Sequence, residues 1–395
     1  MKIQTTVRVA VLGLTLVTSA AADTLRVPSD HATIQDAVDA ASPGDRIVVS
    51  KGTYAPFVVD EASDLSIRGK GKPTVDAGGR AMAAVTIRDS DDITLDGFTV
   101  RSPDANPDAH GVLVVRSTDV VVRRCDIEDI GSDGVRSYGS GRLLVEKCAF
   151  EDIASDGVET EGEGKDGATD ESVFRKNRFR DIGDDGIDLE GEDHLVEKNR
   201  FERMDTHAII VEDGNTGSTV SKNRIRFTGD VAIRVQGNGA LIEKNRVDRA
   251  DDHSIDIRGD DNVVEKNRVS NGDGDGIRAR GCRNHYEKNV IQRTNDGFDI
   301  EAEDCEFLRN RVSKNRDNGI EIGSSDTRTT GNLLERNTVS GAGDNGIRVH
   351  NATDNTFRRN RAAKSRDFDL LDETAPGSNT FEDNKFKTVS TQDDD

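Results

Sequence analysis

The dipeptide Lys-Asn or Arg-Asn recurs along most of the chain, with Asn at 177, 199, 223, 245, 267, 289, 310, 337 and 360, and Asp383-Asn384 continues the column. Such a period allows few folds, because each repeat must be one structural unit that stacks on the next. Cys125 and Cys148 fall in the same slot upstream, and Gly97 is expected there one coil earlier. A second column runs in phase, including Gly157-Val158, Gly186-Ile187, Ala208-Ile209, Ala232-Ile233, Ser254-Ile255 and Gly276-Ile277. Each pair opens a short alternation such as Ile187-Asp188-Leu189 or Ile233-Arg234-Val235, whose period of two marks a strand with one buried face. Further apolar residues precede each Asn (Val196, Ile242, Val264) and follow it by two places (Phe201, Val247, Val269). Three short strands per repeat describe one coil of a parallel β-solenoid, with coils about 4.8 Å apart. The repeated Asn reads as a buried ladder that satisfies turn amides.

Stacking also accounts for an otherwise poor composition. Only 33% of the 395 residues are hydrophobic and there is no Trp, which is little for one compact core. Each coil points a few aliphatics inward, and its neighbours bury them. The formal charge of -21 argues against nucleic acid or anionic lipid as partner, since each phosphate contact must overcome the protein's own field. No membrane-spanning stretch follows the first thirty residues. Lys2 and Arg8 precede the apolar run Val9 to Val17 and the small residues Ala20-Ala21-Ala22. Residues 1–22 therefore read as a signal peptide, and the protein is expected to be exported to a periplasmic or extracellular setting.

Residues 23–60 read as a cap with the first strands: a strand at Leu25 to Val27, a short helix at Thr33 to Ala41 with Thr33 and Asp36 as capping box, and a strand at Ile47 to Val49. A helix over the open end would cover apolar core and unpaired strand edge. Residues 61–389 hold the repeats, and 390–395 form an acidic tail expected to be disordered.

The outward position of the Gly-Ile strands runs Arg136, Glu159, Asp188, Ile210, Arg234, Asp256, Arg278, Asp299, Glu321, Arg348. Alternating sign suits neighbours that neutralise one another. Arg178, Arg200, Arg224, Arg246 and Arg268 form another column after the ladder Asn. They suit a grip on a uronate polymer, or pairing with Glu197, Glu243, Glu265 and Glu287 across the turn, which the charge balance favours.

The sharpest constellation lies on four consecutive coils: Asp156, then Asp184 and Asp185, then His207, then Arg234. Crowded carboxylates raise one another's pKa, and glycoside hydrolysis needs one protonated and one ionised carboxyl group. The competing reading is a column of turn-forming Asp, since Asp133, Asp275 and Asp296 share the slot and Thr294 to Asp299 imitates the motif. Calcium held by Asp184, Asp185 and Asp188 is a third reading. An enlarged coil adds a loop over about 161–172 that would wall the groove. His253 reads as an exposed turn residue. Cys125 and Cys148 suit a disulfide or packed thiols equally, and Cys282 and Cys305 are offset in their coils.

The run Thr33-Ile34-Gln35-Asp36-Ala37 through Ser42-Pro43-Gly44-Asp45 to Lys51-Gly52-Thr53-Tyr54, with the Asn and Gly-Ile columns, resembles exported right-handed parallel β-helix proteins of the pectin-lyase-like superfamily. The resemblance implies an all-β, right-handed parallel β-helix with a short N-terminal capping helix. That superfamily holds pectate lyases, polygalacturonases, mannuronan epimerases and noncatalytic members such as a periplasmic maturation factor. Ser155-Asp156-Gly157, Gly183-Asp184-Asp185, Thr206-His207-Ala208 and Arg234-Val235-Gln236 are similar to the polygalacturonase order Asn-Thr-Asp-Gly, Gly-Asp-Asp, Gly-His-Gly, Arg-Ile-Lys. This implies catalytic roles for Asp156, Asp184, Asp185, His207 and Arg234 on an extended polysaccharide, with Asp185 or Asp156 as acid. Ala154, Thr206, Ala208 and Gln236 depart from the pattern, and the Lys that would meet a galacturonate carboxylate is missing. A noncatalytic scaffold or adhesin is the alternative.

Overall fold

The Asn and Gly-Ile columns mark two corners of a three-sided coil. A computed structural model of the chain describes residues 22–78, 81–103, 108–162, 170–323 and 329–391. The expected signal segment and most of the acidic tail lie outside the described residues, as does 163–169 of the expected groove loop. Sheet C, carrying the Gly-Ile strands, has 15 strands; sheet A, before the ladder Asn, has 16; sheet B, after it, has 14. Within all three sheets the pairing is parallel and steps from coil to coil, as in Ile187↔Ile209 and Ile209↔Ile233. Strand alternation places Phe174, Val196 and Val220 of sheet A inside with Phe179, Phe201 and Ile225 of sheet B. Phe150, Phe179 and Phe201 stack at 4.6 and 4.8 Å. The glycines beside them are required by that packing: a Cβ on Gly157 would lie 2.6 Å from the Phe179 ring and from the Gly186 carbonyl.

The ladder is continuous. Asn223 donates its backbone N–H to Asn245 Oδ1 at 2.9 Å and its side-chain amide to the Val196 carbonyl at 2.9 Å. The Asn199 backbone donates to Asn223 Oδ1 in the same way. The preceding Lys makes the corner by adopting positive φ, 59° at Lys198 and Lys222. This corrects the expectation for Gly97: Cys125 aligns with Phe98, because Arg123 pairs with Asp96, and Gly97 (φ 82°) stands at the Lys position. A second ladder, not anticipated, crosses the other corner of sheet A through Asn262, Asn284, Cys305, Asn332, Asn355 and Asn379. Cys305 Sγ takes the place of an amide oxygen there, accepting the Asn284 N–H at 3.2 Å. All four cysteines are free thiols.

The helix spans Ile34–Ala40, with Thr33 as N-cap and the capping box formed. Ile34 and Ala37 face the core, while Gln35 meets the first strand of sheet C. Its Oε1 accepts the Val58 N–H at 2.8 Å, and its Nε2 donates to the Val58 carbonyl at 3.1 Å. Among the described residues, no helix is long and apolar enough to cross a membrane.

Candidate functional site on sheet C

The residue before each Gly of the Gly-Ile column sits where one strand of sheet C begins, and its side chain reaches the next coil. Asp133 Oδ1 accepts the Asp156 N–H at 3.2 Å, Asp156 Oδ1 that of Asp185 at 2.8 Å, and Asp185 Oδ1 that of His207 at 2.8 Å. The pattern resumes through His253, Asp275, Asp296, Asn318 and Asn345. The column therefore caps strand starts, as the turn-forming reading expects.

The same geometry builds a chain of paired acids and histidines across six coils. His110 Nδ1 lies 3.1 Å from Asp133 Oδ2. His207 Nδ1 lies 2.7 Å from Asp185 Oδ1, and its Nε2 lies 3.3 Å from Asp230 Oδ2. Asp156 stands between the two His-paired carboxylates. Carboxylates at coil spacing resist joint ionisation, and each end of the set already has a histidine partner. Burial, with the charges of Asp133, Asp185 and Asp184 behind it, lifts Asp156 to about 8. Burial works the same way on Asp185, but the His207 hydrogen bond and charge outweigh it and hold the carboxyl below its ordinary range. Asp133 is likewise held low against burial by His110. Asp156 and Asp185 are only 9% and 8% exposed.

Asp184 is exposed, with its Oδ1 2.8 Å from the Thr206 hydroxyl that donates to it. Asp156, Asp184 and Asp185 each turn an oxygen to within 4.8 Å of the others. These three could hold a hard cation, as could Asp133, Asp156 and Glu159. Asp188, expected in a calcium set with Asp184 and Asp185, is in neither group. One buried Asp188 oxygen has no hydrogen-bond partner, and burial followed by the Glu212 charge pushes the carboxyl up to about 9. Arg234 does not point at the three carboxylates: its guanidinium lies 3.6 Å from Asp230 and 3.7 Å from Asp256.

Sheet C thus brings Asp156, Asp184, Asp185 and His207 together and draws Arg234 aside. Asp230, which closes the far side of His207, went unrecognised, although it occupies the Thr206 position one coil on. The partners of the recurring Asp were also missed. His253 is not an exposed turn residue: its Nδ1 lies 3.3 Å from Asp275, and its side chain is 13% exposed. Asp296 beyond them rises to about 9 through burial and the Asp275 charge, so the second motif repeats the alternation of ionised and protonated carboxyl groups. The outward column pairs as expected, with Arg136 on Glu159 at 2.7 Å and Arg278 on Asp299 at 3.1 Å. The arginines of sheet B do not follow expectation. The acidic column across the turn pairs instead with the corner lysines, Glu197 with Lys198 at 3.0 Å, Glu265 with Lys266 at 2.6 Å and Glu287 with Lys288 at 2.8 Å. Positive φ swings each lysine back over the preceding glutamate.

Comparison with known proteins supports the architecture. No curated protein matches the sequence. Among solved structures, the tailspike protein of E. coli bacteriophage HK620, determined with a pentasaccharide, is 11% identical with a TM-score of 0.53, covering 93% of this chain and 72% of that one. PfbA, a surface adhesin of Streptococcus pneumoniae, is 13% identical with a TM-score of 0.50, covering 90% and 89%. The family described as the right handed beta helix region matches residues 81–225 and 208–362. With its parallel coils, stacked corners and capped first turn, the chain belongs to the right-handed β-helix family.

Proposed function

We propose that the protein is exported and binds an extended polysaccharide along sheet C, cleaving it with Asp156 as proton donor. The observation that carries this reading is the opposition between neighbours: Asp156, lifted to about 8, beside Asp185, held low by His207. Two carboxyl groups driven apart by their surroundings are the arrangement acid–base catalysis requires. Asp156 gives its proton to the glycosidic oxygen, which leaves the anomeric carbon with the bonding electron pair. Exposed Asp184 takes a proton from the water whose oxygen attacks that carbon. Ionised Asp185 stabilises the positive charge that develops between these events, and Asp230 with Asp185 fixes the His207 ring against the sugar. Regular side chains on a straight sheet suit a linear polymer. A neutral, hydroxyl-rich chain suits this surface best, because the local carboxylates repel uronates and Arg234 is engaged by Asp230 and Asp256.

A noncatalytic scaffold is the second reading. It is favoured by the capping role that the same column performs at Asp275, Asp296, Asn318 and Asn345. Incubation with neutral and acidic polysaccharides, with and without calcium, separates the two. Hydrolysis yields new reducing ends that vanish in Asp156→Asn with the fold intact, whereas unsaturated products point to a lyase. Binding without cleavage, unchanged in Asp184→Asn and His207→Ala, establishes the scaffold.

A further inference from the structure

Sheet B carries an arginine row. Arg178, Arg200, Arg224, Arg246 and Arg268 stand in direct register on five consecutive coils. All five side chains are exposed. Arg200 reaches Glu202 at 3.2 Å; among the described residues, the other four have no ion pair or side-chain hydrogen bond. This occurs in a chain with 75 acidic and 54 basic residues, where a free guanidinium is the exception. Arg136, Arg142 and Arg283 are each engaged by carboxylates. Like charges in register on adjacent strands oppose sheet stability, so the row costs the fold something that a bound anion would relieve. Its neighbours do not cancel it. Of the second outward column, Arg180 is paired with Glu151 and Arg226 with Asp248, and at the end of the strands Arg203 is paired with Asp181 and Arg249 with Asp248, so these acids are already engaged.

We infer that the row binds a linear acidic polysaccharide lying along the solenoid axis on sheet B, separate from the acidic surface of sheet C. Guanidinium groups recur at the coil spacing of about 4.8 Å, and each presents a planar fork that matches a carboxylate or sulfate. A polymer with an anion on successive sugars meets that pattern without bending. Single-stranded nucleic acid fits less well, since it needs stacking platforms. The exposed aromatic on this stretch, Phe227, is already covered by Arg226 and Arg249 at 5.1 and 5.0 Å from its centroid.

The test measures binding of the full chain to polygalacturonate, dextran and a single-stranded oligonucleotide over a salt series. Two triple variants are compared, Arg224→Gln/Arg246→Gln/Arg268→Gln and the charge-matched Arg88→Gln/Arg142→Gln/Arg283→Gln. Polygalacturonate should bind the wild type and the second variant alike, while the first loses about tenfold or more and shows a shallower salt dependence. Dextran should be indifferent to both sets. Absence of polygalacturonate binding, or equal loss in the two variants, overturns the proposal. An oligonucleotide bound as tightly as polygalacturonate overturns the choice of ligand. Because sheet C is untouched, cleavage of a neutral polymer stands or falls separately.

Discussion

Asp185 Oδ1 receives both the ring and the backbone of His207, the Nδ1 at 2.7 Å and the amide nitrogen at 2.8 Å. One oxygen thus joins a structural bond between coils to the electrostatics of the site. Neighbouring Asp156 has an amide on one oxygen and no histidine partner, which is why the two shift in opposite directions.

That asymmetry fixes a pH dependence for cleavage. Activity should require protonated Asp156 and ionised Asp185, so the rate should fall as pH rises through about 8 and fall again at acid pH when Asp185 takes a proton. A pH–rate profile on the cleaved polysaccharide checks this. A profile that keeps rising beyond pH 9 contradicts the assignment.

Asp156→Asn should remove activity by a factor of about 100 or more while stabilising the fold in alkali. The sign follows from linkage. Asp156 has a folded pKa raised above its unfolded one, so its protonated form supports the fold below about pH 4, and that support is lost as pH rises through about 8. Asn keeps the oxygen that accepts the Asp185 N–H without the charge. The gain should be on the order of 5 kcal/mol at pH 9 and vanish near pH 4, as read from denaturant midpoints. A slope against pH identical to the wild type would count against a buried, protonated Asp156.

Asn245→Ala should cost about 3–4 kcal/mol. It strips the acceptor from the Asn223 N–H and the donor from the Val220 carbonyl, both in the dry interior. Equilibrium unfolding measures the loss, and a change under 1 kcal/mol would mean that the ladder is decorative.

Gly157→Ala should destabilise by about 1–3 kcal/mol, because the added methyl meets the Phe179 ring and the Gly186 carbonyl at 2.6 Å. Combining it with Phe179→Leu should cost less than the sum of the two changes. Thermal melts of the four proteins decide, and strict additivity is the adverse result.

The solenoid was legible because its evidence is one-dimensional: a column with period near 22 must stack, whatever the side chains do next. Thr33 and Asp36 announced the helix by local chemistry alone. The second ladder was equally available, since Asn262, Asn284, Asn332 and Asn355 each precede a ladder Asn by five residues, but Cys305 and the shorter run concealed it. Pairing was less legible. Glu197 chose Lys198 over Arg200 because a left-handed corner residue redirects the side chain, and spacing carries no sign of φ. The partners of Asp133 and Asp275 were hidden for a related reason: His110 and His253 lie one coil away, and only register shows them facing those carboxylates. Arg234 was placed on the right strand, yet its direction was decided by Asp230 and Asp256.

The bond pair between Gln35 and Val58 has a consequence for how the chain is made. It occupies the open edge of the first strand of sheet C at Val58 with a side chain belonging to the preceding helix, so no segment synthesised later is needed at that point. A growing polypeptide can therefore complete its starting turn at once and use it as a template, each new coil being moulded on the one before. Assembly acquires a direction, from amino to carboxyl end. Chains stopped after residue 323 should retain protease-resistant coils, whereas chains begun at residue 61 should not, and limited proteolysis of the two would show which end instructs the other.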